Sequence, residues 1–399
     1  MTEPEKIAAR PDLHLQLLYF TSTSLSADGR HVVAIGEAEG HPNLFRVDLG
    51  SGALTQLTRN SDGVLRSYVY FDGTPYRGFG KASVSFDAVR GVLYYLQGRE
   101  IRAVTLDGAE RVLATLPDGQ VTAFTHVSAD GERLCVPTTD AAAFTEDEAW
   151  SERHKGIDAR VQRLGLDSHL RVYSTRTGAE LAVERVPSAW VTHVQFSPVN
   201  ADHILYNHEW PADCGIRRVW LWDGQRHIPL RSEGDGRSRK DWTCHEMWER
   251  DGQAVIYHGL YEDGRAYIGR IPLSGGAITE LALPEGWGRY GHFTVGPSQA
   301  QLVTDGYYHA GPGDELKVSP WLSYLDVDWQ SGRVGWRILG RSDSSWDSQD
   351  SHPHPILDDA GAFVYFTSDR EGKRAIYRLP TGREASVGEV ELTLGARQG

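Results

Sequence analysis

Methionine is nearly missing, with 2 in 399 residues, and cysteine is scarce, with 3. Cys135, Cys214 and Cys244 cannot form a paired disulfide framework and show no zinc-finger spacing. A reducing, cytoplasmic setting is the expectation. Positive charge is also in deficit: 41 Lys and Arg against 54 Asp and Glu leave a formal net charge of −13. That balance argues against nucleic acid and anionic membranes as partners. It also means that an acidic substrate must be held by a local positive site. No apolar run approaches the length of a membrane span, and Met1–Arg10 is charged where a secretory leader would be apolar. No linker divides the chain, and no low-complexity run appears. A Gly-x-Ser-x-Gly elbow is absent too, which removes a propeller hydrolase of the prolyl-peptidase kind.

What is plentiful points to β structure. The chain has 43 Gly, 12 Trp and 17 Tyr, a composition suited to many short strands and tight turns. Tyr19-Phe20, then Ser-Ala-Asp28-Gly29, then His31–Ile35, Asn43–Leu49 and Ala53–Thr58 read as four strands in hairpin order. The pattern returns about every 40 to 60 residues, the range in which propeller blades recur. Copies begin near Tyr19, Lys81, Val121, Trp190, Trp242, Arg289 and Gln349, which predicts one all-β, seven-bladed β-propeller over residues 1–399. A charged insertion, Ala141–Arg163, carries Trp150, His154 and Lys155 and reads as an excursion over one face. Arg231–Lys240 reads as an inter-blade loop.

Superposing the copies isolates a candidate site. Counting back seven residues from the turn glycines Gly252 and Gly361 gives His245 and His354. Matching offsets in the fourth and sixth copies reach His193 and His292. The first strand of each blade lines the central channel, so four successive blades are expected to aim an imidazole there. His352 joins them. In Gln349-Asp-Ser-His352-Pro-His354-Pro the two prolines favour extended geometry at each histidine, so both rings are expected to project the same way from a rigid strand. That is a suitable arrangement for metal ligands.

The same residues carry a family likeness. Trp190-Val-Thr-His193, Asn207-His208-Glu209, Arg218-Val-Trp220, Thr243-Cys-His245-Glu246, Asp343-Ser-Ser-Trp346, the Gln-x-x-His-Pro-His-Pro string and Phe366-Thr-Ser-Asp369 make the chain resemble the oligogalacturonate lyases. These are seven-bladed propellers with a manganese ion in the channel. The resemblance implies His292, Gln349, His352 and His354 as metal ligands, His245 as the proton acceptor and Arg218 as a substrate-binding arginine. It further implies β-elimination on oligogalacturonides from pectin. A divalent ion, Mn2+ or a competitor such as zinc, would bind the uronate carboxylate, and a neutral imidazole near its normal pKa would take the C5 proton. Arg218 would clamp a carboxylate bidentately. His193, His208 and Arg217 are further candidate substrate contacts. Glu246, next to His245 on a strand, should face the other way.

Two departures bear on the substrate. Where the family carries a His-Arg stretch, this chain reads Leu15-Gln-Leu-Leu18, and the Ala141–Arg163 insertion matches only loosely. Another uronate oligosaccharide therefore stays open as substrate, and a non-catalytic propeller serving as scaffold or sensor is the reading from another class. The chain is expected to act as a monomer or weak homo-oligomer. Gly388–Leu394 alternates as a strand should, and is expected to supply the outer strand of blade seven, building that blade from the C-terminal side alone.

Overall fold

The computed structural model describes residues 3–397 apart from 9, 11, 69–78, 145–155, 210–217, 232–241, 286, 288–290 and 307–319. Seven antiparallel sheets follow one another along the chain and form a seven-bladed β-propeller. Blade two shows the plan: Ser85–Asp87, Val92–Gln97, Glu100–Thr105 and Glu110–Thr115 pair in chain order from the axis outward. The turns that recur in the sequence share one construction. Gly29, Gly131, Gly252 and Gly361 have φ between 66° and 68°, a left-handed conformation that only glycine adopts without cost. In two of them the preceding Asp28 or Asp130 accepts a 2.6 Å hydrogen bond from Ser26 or Ser128, so each turn closes on itself.

The hydrophobic core is divided among the blade interfaces. Val33, Ile35, Phe86 and Leu93 pack between blades one and two. Tyr94 and Leu134 fill the next interface, Cys135 and Phe196 the third, and Leu205 and Tyr257 the fourth. Ile256 and Trp336 lie between blades five and six, Leu322 and Phe366 between six and seven, and Leu15 and Tyr365 between seven and one. Every interface is filled, so the ring is closed.

The closure differs from the sequence expectation. The outer strand of blade seven is Glu5–Lys6, which pairs with Tyr377 and Arg378. Arg378 donates to both Glu5 carboxylate oxygens at 2.8 and 2.9 Å, and Ile7 N–H donates to the Ile376 carbonyl. Gly388–Thr393 is a strand, as its alternation predicts, but it adds to the outer edge of blade six. There Val390 and Leu392 pack onto the core between blades five and six. Ala396–Arg397 continues onto blade five. Alternation identifies a strand with one apolar face; it carries no information about which free edge that strand meets.

Blade one also begins earlier than the repeat predicts. Its inner strand is His14–Gln16, and Tyr19-Phe20 lies outside the sheet. Of the insertion, Ala141–Ala143 forms a 3-10 turn and Ile157–Leu164 a helix whose Ile157 and Val161, one turn apart, bury against Val121, Ala143 and Phe144. Trp150, His154 and Lys155 lie outside the described residues, as does the loop from 232 to 241. Among the described residues no helix is long and apolar enough to cross a membrane.

Ile7 is 6% exposed and belongs to the interface that closes the ring. Ile7→Ala should lower the unfolding free energy by about 2–4 kcal/mol, the cost of truncating a buried isoleucine. Equilibrium denaturation measures this; an unchanged midpoint would show that Glu5–Lys6 does not secure blade seven.

Candidate active site in the central channel

The inner strands bring the histidines of four blades to one place. His193 and His292 immediately precede the inner strands Val194–Phe196 and Phe293–Val295. His354 lies two residues before Ile356–Leu357, and His245 sits within Trp242–Trp248. Their rings surround Phe20, with centroids at 5.3 Å (His193), 5.0 Å (His245), 6.0 Å (His292) and 6.4 Å (His354). Phe20 reaches the axis because Tyr19-Phe20 leaves blade one, and both rings are buried with Ala82, Ala123 and Phe124.

Two of these histidines are held in unusual backbone. His245 has φ 50° and His354 has φ 44°, a region that non-glycine residues rarely enter. At His245 the register shifts between Cys244 and Met247, a bulge that re-aims the side chain. The extended geometry expected at both histidines is therefore met at His352 and not at His354. Gln349–Ser351 is a 3-10 turn capped by Ser348, His352 is extended, and His354 is left-handed. The pre-proline preference at His354 is opposed by tertiary bonds: its N–H donates to Asp305 Oδ2 at 3.1 Å, and its Nδ1 lies 2.9 Å from Lys81 Nζ.

His292, His352 and His354 are buried, and each offers a ligating atom within 4.8 Å of the others. Strand register places Asp305 opposite His292, where its carboxylate takes the His292 backbone N–H at 2.6 Å and faces Nδ1 at 3.1 Å. Donation from Nδ1 would leave the lone pair on Nε2, the arrangement by which a carboxylate supports a histidine in metal sites. His354 Nε2 and Gln349 Oε1 are buried and have no hydrogen-bond partner among the described residues. The donor set fits a divalent cation of borderline softness: three imidazoles and no thiolate. Trp346 walls this group, 4.4 Å from the His352 ring and 6.0 Å from that of His292.

Opposite lies an ionic cluster. Arg218 Nε donates to Glu246 at 2.9 Å and Nη1 to Glu209 at 2.8 Å, while Nη2 is 3.0 Å from His193 Nδ1. The guanidinium edge needed for a bidentate substrate clamp is thus engaged by the protein's own carboxylates. Glu246 does face away from His245, toward blade four, and also meets His193 Nδ1 at 3.1 Å. Burial alone would raise the Glu246 carboxyl; Arg218 and His193 outweigh it and hold it near 2. His208 packs on Trp220 at 4.9 Å, and burial lowers it to about 4. Arg217 lies outside the described residues.

His245 stands between the two groups, its ring 4.5 Å from that of His292. Burial, then His292 and His258, push it well below the ordinary histidine range rather than leaving it near normal. Burial likewise lowers His352 to about 3 and the wholly buried Lys81 amine to about 7.

No protein-family model matches the chain. The oligogalacturonide lyase of Pectobacterium atrosepticum is 27% identical over 389 residues, spanning 92% of this chain and 90% of that protein. The oligogalacturonate lyase of Dickeya dadantii is 24% identical over 392 residues, spanning 92% and 90%. The chain resembles the oligogalacturonate lyases over nearly its whole length. An oligogalacturonate lyase solved in complex with manganese superposes with a TM-score of 0.76 at 20% identity, covering 95% of this chain and 93% of that one. An oligogalacturonate lyase from Vibrio parahaemolyticus gives 0.76 at 19% identity, covering 95% and 94%.

The residues that set this likeness apart have legible jobs. Asp369 accepts from Ser345 N–H and Oγ at 2.7 and 2.6 Å, and Thr367 N–H donates to Pro353 O, so both brace the loop that carries His352. At the departure near the N-terminus, Leu15 and Leu17 fill the closing interface, and Gln16 is fully buried. Asp305, Lys81, Phe20 and His258 were not singled out by sequence. Asp305 precedes a glycine and reads there as an ordinary turn residue.

A cavity of about 460 Å³ occupies the channel beyond Phe20, lined by the later halves of the inner strands, including Val127, Trp248 and Leu357. It contains none of the four axial histidines, so volume alone does not locate the chemistry. His126 lines it and accepts the Phe196 N–H on Nδ1 at 3.1 Å. Burial depresses His126 to about 4. Between that value and about 6.5 the unfolded chain binds the extra proton, so His126 contributes stability that is lost as pH falls through this window. Urea unfolding across pH 6.5 to 4 should show a decline that His126→Gln flattens by about 2 kcal/mol; an identical slope in the variant would remove His126 as its source. Separately, Asp305→Asn should weaken divalent-metal binding about 10–100-fold by titration calorimetry, and unchanged affinity would deny Asp305 its orienting role.

Proposed function

We propose that this protein is a metal-dependent lyase that cleaves oligogalacturonides by β-elimination. The observation that carries the reading is a buried His245 set 4.5 Å from the His292 ring of a three-imidazole cluster on the two following blades. The likeness to oligogalacturonide lyases over 92% of the chain supports the substrate class.

In this reading His292, His352, His354 and Gln349 hold a divalent cation, and manganese is the ion in a structural relative. A cation held there would supply Lewis-acid stabilisation of the uronate carboxylate as negative charge develops α to it. His245 accepts the C5 proton on its unprotonated nitrogen. The C4–C5 double bond forms as the C4–O glycosidic bond breaks, and the departing oxygen takes up a proton. A depressed pKa keeps His245 unprotonated through the acidic range at some cost in basicity, so the acid limb of its rate profile lies below that of a free imidazole. Arg218 holds Glu246 and His193 in place on the facing side. Between His193 and His208, His193 is the substrate contact this geometry favours, since it borders Phe20 beside His245.

Saturated and unsaturated digalacturonate incubated with enzyme and manganese should yield 4,5-unsaturated products, identified by mass and ultraviolet absorbance. His245→Ala should keep its metal while kcat falls roughly 10²–10⁴-fold. His352→Ala and His354→Ala should lose metal and activity in step. Full turnover by His245→Ala, or full metal with full activity in either ligand variant, would sink the mechanism.

A further inference from the structure

His245 Nδ1 has two close neighbours: the Gly291 carbonyl oxygen at 3.0 Å and His258 Nε2 at 2.7 Å. A carbonyl oxygen can only accept. If Nδ1 carried a lone pair, that pair would face the Gly291 oxygen at hydrogen-bond distance, which is repulsive. A proton on Nδ1 satisfies both neighbours, shared between the Gly291 oxygen and a lone pair on His258 Nε2. His258 must then carry its own proton on Nδ1. Both imidazoles are neutral in this arrangement, and burial lowers both well below the ordinary range.

The two neighbours are themselves fixed. His258 is fully buried, against the rings of Phe293 and Trp242. Gly291 packs closely on the facing backbone: a Cβ there would stand 2.7 Å from Gly306 Cα and 2.9 Å from Gly306 N. The repeat gives an internal comparison. By register the residue opposite the axial histidine is Asn207 in blade four and Asp305 in blade six; in blade five the bulge pairs His258 with Cys244, and its ring lies 4.8 Å from that of His245. Asn207 takes the His193 backbone N–H at 2.9 Å, and Asp305 meets His292 Nδ1 at 3.1 Å. In blades four and six that second-strand residue bonds the axial histidine, and in blade five His258 reaches the His245 ring.

We infer that His258 is a positioning residue which, together with the Gly291 carbonyl, holds His245 with its proton on Nδ1 and its lone pair on Nε2. Nε2 is then the one basic nitrogen of the ring, and the two contacts at Nδ1 fix the ring against rotation. The role in turnover rests on the lyase reading above, whereas the tautomer does not.

The test has two arms. Long-range proton–nitrogen correlation spectra of histidine-labelled protein, loaded with diamagnetic zinc, report the His245 tautomer directly. Wild type should show Nδ1–H alone, and His258→Leu a mixture. In kinetics on digalacturonate with manganese, His258→Leu should lower kcat roughly 10–100-fold, in the range of other orienting partners, with KM within about twofold and metal content unchanged. His258→Gln, whose amide oxygen can accept from Nδ1–H, should recover most of the loss. An Nε2–H tautomer in wild type overturns the inference, even if His258→Leu does not fold. So does a folded His258→Leu with wild-type kcat, or a His258→Gln no better than His258→Leu. A wild-type protein inactive on every uronate oligosaccharide would refute the lyase reading and leave the tautomer standing on the spectra.

Discussion

A blade of this protein is apolar on both faces, and a four-stranded sheet cannot bury both by itself. The remaining structure depends on that constraint. Each face must find another blade, so the sheets close into a ring with a filled interface at every step. Closure sets the inner strands around one axis. A side chain at a given repeat position then meets its equivalents from other blades, however distant they are in sequence. His193 and His354, 161 residues apart, both lie against Phe20.

Gathering at the axis also means burial, and burial governs the electrostatics. Desolvation favours the neutral form of every cationic group there, which is why His245, His352, His354 and Lys81 all shift downward. Neutral imidazoles are the form that ligates metals and accepts protons. Charges that remain must be paired, as Arg218 is with Glu209 and Glu246. The channel thus separates into an ion-paired side built on blades four and five and an imidazole-rich side built on blades six and seven, where the Asp305 carboxylate meets His292 and His354. His245 stands at the boundary.

Precision at this boundary comes from departures from regular strand. The bulge at Cys244–Met247 and the left-handed His354 place rings where a straight strand would not. Such backbone costs on the order of 1–3 kcal/mol per residue and persists because fixed partners hold it. Asp305 does so for His354 through its backbone N–H, and the same carboxylate also faces the His292 ring.

The sequence determined the blade repeat, its Asp-Gly turns and the axial histidines, because all are periodic and each blade obeys the same local rules. It identified Gly388–Thr393 as a strand by alternation alone. It could not say which edge that strand would cover, because free edges differ only in what the folded ring leaves open. It missed Glu5–Lys6 for the same reason: two residues carry no period, and their pairing with Tyr377 and Arg378 exists only once the ring is assembled. Asp305, Lys81 and His258 were hidden because their significance is a contact across strands or blades and not a pattern along the chain. The fold was written in recurrence. Which atoms of the histidines are left to act was decided by tertiary neighbours, since a ring's tautomer and aim follow from the hydrogen bond at its other nitrogen.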